Sequence, residues 1–263
     1  MTASDQKAEL LRSLHVPGDP LILVNVWDAV SAKVVASVPG VKAIATASEA
    51  ISYAHGVADG GGLGRDGAIE AARIVIDAVD LPVTVDFEKG YGATAAEVEH
   101  SVAALIAAGA SGLNIEDSVG EIGDELFSVR TAAARVAAAR TAGEKAGVPI
   151  VINARVDALV GGGDWAHARE RANAYLAAGA DVVFLLGLDT EEKVMRAIAE
   201  VDGPISVFAN ATSLALPRLA KLGVCRVSFA GYPLALAMAH LHSAAAQLTA
   251  LGSYPAELGF EYS

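Results

Sequence analysis

Short apolar runs rich in β-branched residues alternate with longer alanine-rich stretches of helical period along almost the whole chain. The strand-like runs are 21–25 (LILVN), 41–46 (VKAIAT), 82–86 (PVTVD), 112–116 (GLNIE), 149–154 (PIVINA), 181–186 (DVVFLL), 204–209 (PISVFA) and 224–229 (VCRVSF). Helical patterns fill the gaps, near 28–38, 66–79, 95–108, 128–146, 164–178, 190–200, 213–222 and 232–250. Four of them stop on a glycine (Gly109, Gly147, Gly179 and Gly223), the residue that most easily takes the left-handed turn ending a helix. Strands this apolar are expected to be buried on both faces, as in a parallel sheet covered by helices. Eight strand–helix units without a linker-like break predict an α/β fold, a (β/α)8 TIM-type barrel. It would be one domain over 1–263 with a short C-terminal tail after the last helix. A dinucleotide-binding sheet would need a glycine-rich turn after the first strand, and Asn25-Val26-Trp27-Asp28-Ala29 has no glycine.

Composition narrows the setting. The chain has 263 residues, a hydrophobic fraction of 53%, a mean hydropathy of +0.43 and one cysteine, Cys225. A lone cysteine excludes an internal disulfide framework. The longest apolar stretch, Leu234 to Leu251, is interrupted by His240, His242, Ser243 and Gln247, and falls short of a membrane span. The N-terminus lacks the basic and apolar regions of a signal peptide. The net charge of −12 repels nucleic acid and anionic lipid, so neither is an expected partner. A soluble cytoplasmic protein is the expectation.

In a barrel of this kind chemistry belongs to the C-terminal ends of the strands. Those ends carry Asn25, Trp27 and Asp28; Thr46, Ala47, Ser48 and Glu49; Asp86 and Glu88; Glu116 and Asp117; Asn153, Arg155 and Asp157; and Asn210. The long segment after the second strand adds Tyr53, His55 and Asp59. Asp86 and Glu88 are two residues apart and share a strand face, where Glu116 from the next strand can meet them. Carboxylates converging in a low-dielectric mouth repel unless a cation joins them, and oxygen-only ligands favour Mg²⁺, or Mn²⁺, over Zn²⁺. For Asp117 and Asp157, capping a helix or pairing with basic residues on the rim fits as well as binding a metal. The planar fork of Arg155 suits a carboxylate or phosphate.

These residues resemble the isocitrate lyase/phosphoenolpyruvate mutase superfamily along nearly the whole chain. The resemblance is carried by Asn25-Val26-Trp27-Asp28-Ala29, Ala43-Ile44-Ala45-Thr46-Ala47-Ser48 and Gly56-Val57-Ala58-Asp59-Gly60. It continues through Val83 to Gly92, Gly109 to Ser118 and Asn153 to Ala158. The resemblance implies a modified barrel in which Asp86, Glu88 and Glu116 hold Mg²⁺ directly or through water, with Asp59 nearby. It also implies that Thr46 and the backbone of Ala47 and Ser48 cradle a substrate carboxylate, and that Arg155 binds a substrate oxyanion. The chemistry implied is cleavage of a C–C or C–P bond in a small 2-oxo or dicarboxylic acid through an enolate. A homo-oligomer, dimer or tetramer, is implied as well.

The chain departs from the family just after the fourth strand. The lyase branch carries a Lys-Lys/Arg-Cys-Gly-His loop there and the mutase branch a loop with Lys and Asn. Here Ser118-Val119-Gly120-Glu121-Ile122-Gly123-Asp124-Glu125 has none of Cys, Lys, Arg, Asn or His. Where the family has glycine beside the second-strand serine, this chain has Ala47. The leading expectation is therefore a Mg²⁺-dependent lyase or hydrolase without the lyase cysteine. The alternatives are a phosphoenolpyruvate/phosphonopyruvate mutase and a catalytically lapsed barrel that binds a ligand. No proton-handling residue is singled out among Tyr53, His55, Tyr91, Glu121 and His167.

Overall fold

The computed structural model describes residues 2–120, 122–123, 125–160, 162–252 and 254. Its parallel strands are β1 (Leu21–Leu23), β2 (Asn25–Val26), β3 (Ile44–Thr46), β4 (Val83–Asp86), β5 (Gly112–Glu116), β6 (Val151–Val156), β7 (Val182–Leu185), β8 (Ile205–Phe208) and β9 (Arg226–Ser228). They form one sheet in the order β1-β9-β8-β7-β6-β5-β4-β3-β2. The expected first strand is thus two short ones. β1 pairs with the last strand, Leu21 opposite Arg226, and β2 pairs with β3, Val26 opposite Thr46. Because both belong to one run broken only at Val24, the sheet returns on itself as a TIM-type barrel. The break follows from closure: staggered strands oblige the first one to serve one neighbour low down and the other higher up.

The helices are α1 (Ala3–Ser13), α2 (Ala29–Ala36), α3 (Ser48–His55), α4 (Gly64–Asp77), α5 (Ala95–Ala107), α6 (Val129–Ala146), α7 (Trp165–Ala177), α8 (Glu191–Glu200), α9 (Leu216–Leu222) and α10 (Tyr232–Leu251). Two of them, α1 and α3, were not expected from periodicity. α1 begins on a Thr2–Asp5 capping box, in which each side chain accepts from the other's end of the first turn. α3 starts one residue after β3 on Ala47, without a side-chain cap, so it leaves no entry signal in the sequence. The expected tail after α10 falls outside the described residues except at Gly252 and Tyr254.

Strand alternation sorts the side chains. Outward positions such as Val85, Leu113, Ile115, Ile152 and Val207 join the large core beneath the helices. The inside holds a much smaller apolar cluster of Leu11, Leu21, Leu23, Ala43, Ala45 and Val151, with Leu11 of α1 stopping the N-terminal end. Above it the inside is polar: Thr84, Asn114, Asn153, Ser206 and Arg226 are all buried. The strands are buried on both faces, as expected, yet the inner face is apolar only at its N-terminal end. Asn25 helps seal the ring, donating from Nδ2 to Thr46 O at 2.9 Å and accepting at Oδ1 from the Phe229 N–H at 2.7 Å. Cys225 is a buried free thiol in the wall, its pKa pushed up to about 12 by burial. α10 is the exception to this packing, with none of its described residues buried and Leu236 and Leu241 each more than 60% exposed. No helix among the described residues is long and apolar enough to cross a membrane.

His15, at the end of α1, contacts Leu11 O through Nδ1 at 2.8 Å, while its Nε2 is buried without a partner among the described residues. Burial, with help from the charge of Arg226, lowers its pKa to about 4. The unfolded chain therefore binds a proton there between roughly pH 6.5 and 4 that the folded chain refuses, and stability falls as pH falls through that window. Urea denaturation is expected to show a loss of up to about 3 kcal/mol from this group by pH 4. His15→Gln should remove that share of the slope.

Candidate active site

The ends of β3 to β6 place the polar residues. The β4 end turns sharply: Gly90 N–H donates to Phe87 O at 2.8 Å, while Glu88 (φ 46°), Gly90 (φ 83°) and Tyr91 (φ 48°) all take left-handed backbone. Two non-glycine residues in that region store strain, which is commonest at functional sites. At Gly90 a Cβ would sit 2.9 Å from Val98, so only glycine fits. Arg135 of α6 pins the turn by donating from Nη2 to the carbonyls of Lys89 (2.6 Å) and Gly92 (2.8 Å).

Asp86 sits above this turn. Its Oδ2 accepts from both the N–H (3.1 Å) and the hydroxyl (3.0 Å) of Ser48, at the N-terminus of α3, where the helix dipole favours an anion. Its own N–H donates to Thr46 Oγ1 at 2.9 Å, and Asn114 Nδ2 faces its Oδ1 at 3.5 Å. The Ala47 N–H donates to Val26 O. The donors of Ser48 and Ala47 thus serve protein acceptors, and Thr46 and Ser48 organise Asp86.

Glu88 accepts a short hydrogen bond from the Tyr91 hydroxyl. Burial raises its pKa, and the nearby charges of Asp86 and Asp59 add to the rise against the Tyr91 contact. Tyr91 is raised too, by burial and then Glu88, and stays a phenol donor. Glu116 is pushed up to about 8 by burial, against the pull of Arg155 at 2.8 Å. Arg155 also donates from Nε (2.7 Å) and Nη2 (3.0 Å) to Asp157. Burial opposes its charge, but Glu116 and Asp157 outweigh that and raise its pKa. Two of the five guanidinium N–H groups are thus hydrogen-bonded to Asp157, while Nη1 is ion-paired with Glu116.

Behind Arg155 lies a buried ladder. Asp157 accepts from the Ser118 hydroxyl at 2.6 Å, and its N–H donates to Asp117 at 2.9 Å. Asp117 accepts from Arg171 (3.1 Å) and Tyr175 (2.7 Å) on α7. Burial raises the Asp117 pKa, partly offset by these donors. Asp117 and Asp157 are thus paired with basic residues, Arg171 and Arg155. Asp28, by contrast, caps α2 through Ser31.

A cavity of about 550 Å³ opens over this region, with Asp86, Asn114, Arg155, Asn25 and Glu49 among its polar lining residues. The wall also carries apolar residues, Leu159, Phe184, Leu185, Leu188, Phe208 and Tyr232. Asn114 and these apolar residues were not singled out from sequence. The signal for Asn114 was its position two residues before Glu116 on an otherwise apolar strand. Asn210, at the rim, ties its own turn by accepting from Thr212 and Ser213. Among the other candidates, Tyr53 is 65% exposed, His55 contacts Ile51 O of its own helix, and His167 accepts from Arg171 at 2.9 Å. Only Tyr91 touches the acidic group. Glu121 lies outside the described residues.

The donor set was tested against a divalent cation. Among the described residues no three His, Cys, Asp or Glu side chains are gathered so as to ligate one ion together. The chemistry nevertheless fits, because Glu88 and Glu116 are buried acids raised by burial and by neighbouring carboxylates, a shortage of positive charge that a cation relieves. Such a site suits Mg²⁺, which keeps several waters and takes only one or two carboxylates directly.

The family model described as phosphoenolpyruvate phosphomutase matches residues 11–249. The chain belongs to this family. It is 33% identical over 242 residues to 2-methylisocitrate lyase of Escherichia coli, covering 84% of this chain and 80% of that protein. A Burkholderia cenocepacia structure described as a candidate phosphonomutase shares 40% identity, with a TM-score of 0.87 and coverage of 93% and 99%. The structure of 2,3-dimethylmalate lyase shares 27% identity, with a TM-score of 0.84 and coverage of 96% and 86%. The family expected from the motifs and the TIM-type fold both stand.

Removing the cation from the ladder would strand a buried carboxylate. Arg171→Met is expected to cost about 3–5 kcal/mol in urea denaturation. A loss below about 1 kcal/mol would mean that Asp117 does not depend on Arg171.

Proposed function

We propose that this protein is a Mg²⁺-dependent lyase that cleaves a C–C bond in a small 2-oxo or dicarboxylic acid, with Mn²⁺ as a substitute metal. The observation that carries the reading is that Asp86 and Arg155 line one cavity. The first is an acid held in place by Ser48 and Asn114, the second a cation with only two of its five N–H groups hydrogen-bonded to the protein. Asp86, with Glu88, Glu116 and Asp59 close by, would hold the metal directly or through water. When bound, the metal supplies Lewis-acid stabilisation of the negative charge that develops on the substrate's 2-oxo oxygen. Arg155 would orient a substrate carboxylate through its remaining N–H groups. The Thr46–Ser48 segment would border the same substrate. Leu159, Phe184 and Leu185 would exclude water from the side where the bond breaks.

Likeness to 2-methylisocitrate lyase and 2,3-dimethylmalate lyase supports C–C cleavage. Likeness to the Burkholderia chain supports phosphonomutase chemistry as a second reading. The absence of Lys and Asn from 118–125 weighs against that second reading. The whole chain would act as one cytoplasmic domain on small anionic carboxylates, its acidity disfavouring nucleic acid and membrane partners. The uncovered apolar face of α10 supports a homo-oligomer in which a second copy covers Leu236 and Leu241.

Three measurements test this. Mg²⁺ with oxalate, a mimic of the enolate, should raise the melting temperature by several degrees, since saturation at a hundredfold excess is worth about 2.7 kcal/mol. Asp86→Ala should lose the shift; no shift in the unaltered protein would sink the enzyme reading. Oxaloacetate, substituted malates and phosphonopyruvate, assayed in parallel, separate C–C from C–P chemistry. In sedimentation velocity the protein should run as a dimer or tetramer, and Leu236→Glu with Leu241→Glu should drive it towards monomer. A monomeric parent chain would refute the oligomer.

A further inference from the structure

One buried cation has no part in the site as described above. Arg226, on β9, is fully buried inside the barrel. Its Nη2 crosses to Asn114 Oδ1 at 3.1 Å, while Nε and Nη1 have no partner among the described residues. Burial pushes its pKa down to about 10, which still leaves it cationic at neutral pH. A buried guanidinium with two unpartnered nitrogens destabilises a fold, and an apolar side chain would fill the same space at lower cost. The contacts of Asn114 show what the charge does.

Asn114 lies between a group that can only donate and a group that can only accept. Its Oδ1 takes Arg226 Nη2 at 3.1 Å and Asn153 Nδ2 at 2.8 Å. Its Nδ2 therefore faces Asp86 Oδ1, at a long 3.5 Å. Turning the amide over would set its NH2 against the guanidinium and its oxygen against the carboxylate. The two charges thus choose one orientation. Ser48 meanwhile holds the other oxygen of Asp86.

We propose that Arg226 is a positioning residue that orients Asp86 for the divalent cation by fixing the side chain of Asn114. This rests on the Mg²⁺ reading of the site. The carboxylate is then presented with one oxygen tied to Ser48 and the other steered by an amide whose direction is set from below. Partners one shell beyond metal ligands are worth roughly 10–100-fold in metal affinity.

The test is Mn²⁺ binding by the full-length protein, followed by electron paramagnetic resonance of the free ion, alongside thermal melting. Arg226→Met is expected to weaken Mn²⁺ binding about tenfold or more, and Arg226→Lys to recover part of that loss. Asn114→Ala should weaken it similarly, and the Arg226→Met/Asn114→Ala double variant should be no weaker than Asn114→Ala alone. A residue that merely fills the barrel would lower the melting temperature and leave Mn²⁺ affinity of the folded protein unchanged. Wild-type affinity in Arg226→Met, or losses that add in the double variant, would overturn the proposal. Should Arg226→Met fail to fold, intermediate affinity in Arg226→Lys together with loss in Asn114→Ala supports it, and unchanged affinity in both refutes it. If the unaltered protein binds no Mn²⁺, the metal reading itself fails and carries this inference with it.

Discussion

A carboxylate taken out of water must find positive charge or hydrogen-bond donors, and this barrel buries several of them at one mouth. Closing the sheet points alternate residues of every strand into a space that water scarcely enters. Residues far apart in the chain then have only one another. Asp117 is served by Arg171 and Tyr175, Asp157 by Arg155 and Ser118, and Asp86 by Ser48. Much of the rest of the structure supplies these partners: α7 contributes two, α3 begins at one, and α6 anchors the turn beneath Glu88 through Arg135.

The same constraint makes the two sides of the site unequal. Around Asp117 and Asp157 the charges are matched within the protein, and the result is a rigid support for Arg155. Around Asp86, Glu88 and Glu116 the match is incomplete, and burial raises Glu88 and Glu116 in spite of Tyr91 and Arg155 beside them. A divalent cation is the partner proposed for that side. The cavity above faces both an electrostatically unsatisfied acid cluster and an arginine with donors in reserve. That pairing is what an anionic substrate chelating a metal requires.

Much of the site was legible in the residues. Acidic residues at the ends of apolar runs identified Asp86, Glu88, Glu116 and Arg155, because strand ends in a parallel barrel face the same way. Their partners were not legible. Nothing in the spacing of Arg155 and Glu116 says that the arginine is already ion-paired, and a pattern cannot state how many of its N–H groups stay free. Asn114 looked like one polar residue on a core strand, and the arginine of VCRVSF looked like an interruption of one. They meet only because β5 and β9 face each other across the closed ring.

The sequence alone determined the alternation of strands and helices, hence the barrel, and the motif order that identifies the family. Those depend on local periodicity and on short segments whose chemistry is visible in one dimension. The split of the first strand, the helices α1 and α3, and the polar interior were decided by tertiary structure. Closure geometry, a helix entered without a cap and contacts more than a hundred residues apart have no local signature. Which carboxylates end up neutralised within the protein, and which do not, is likewise settled only when the strands meet, since charge compensation depends on distance in space and not along the chain.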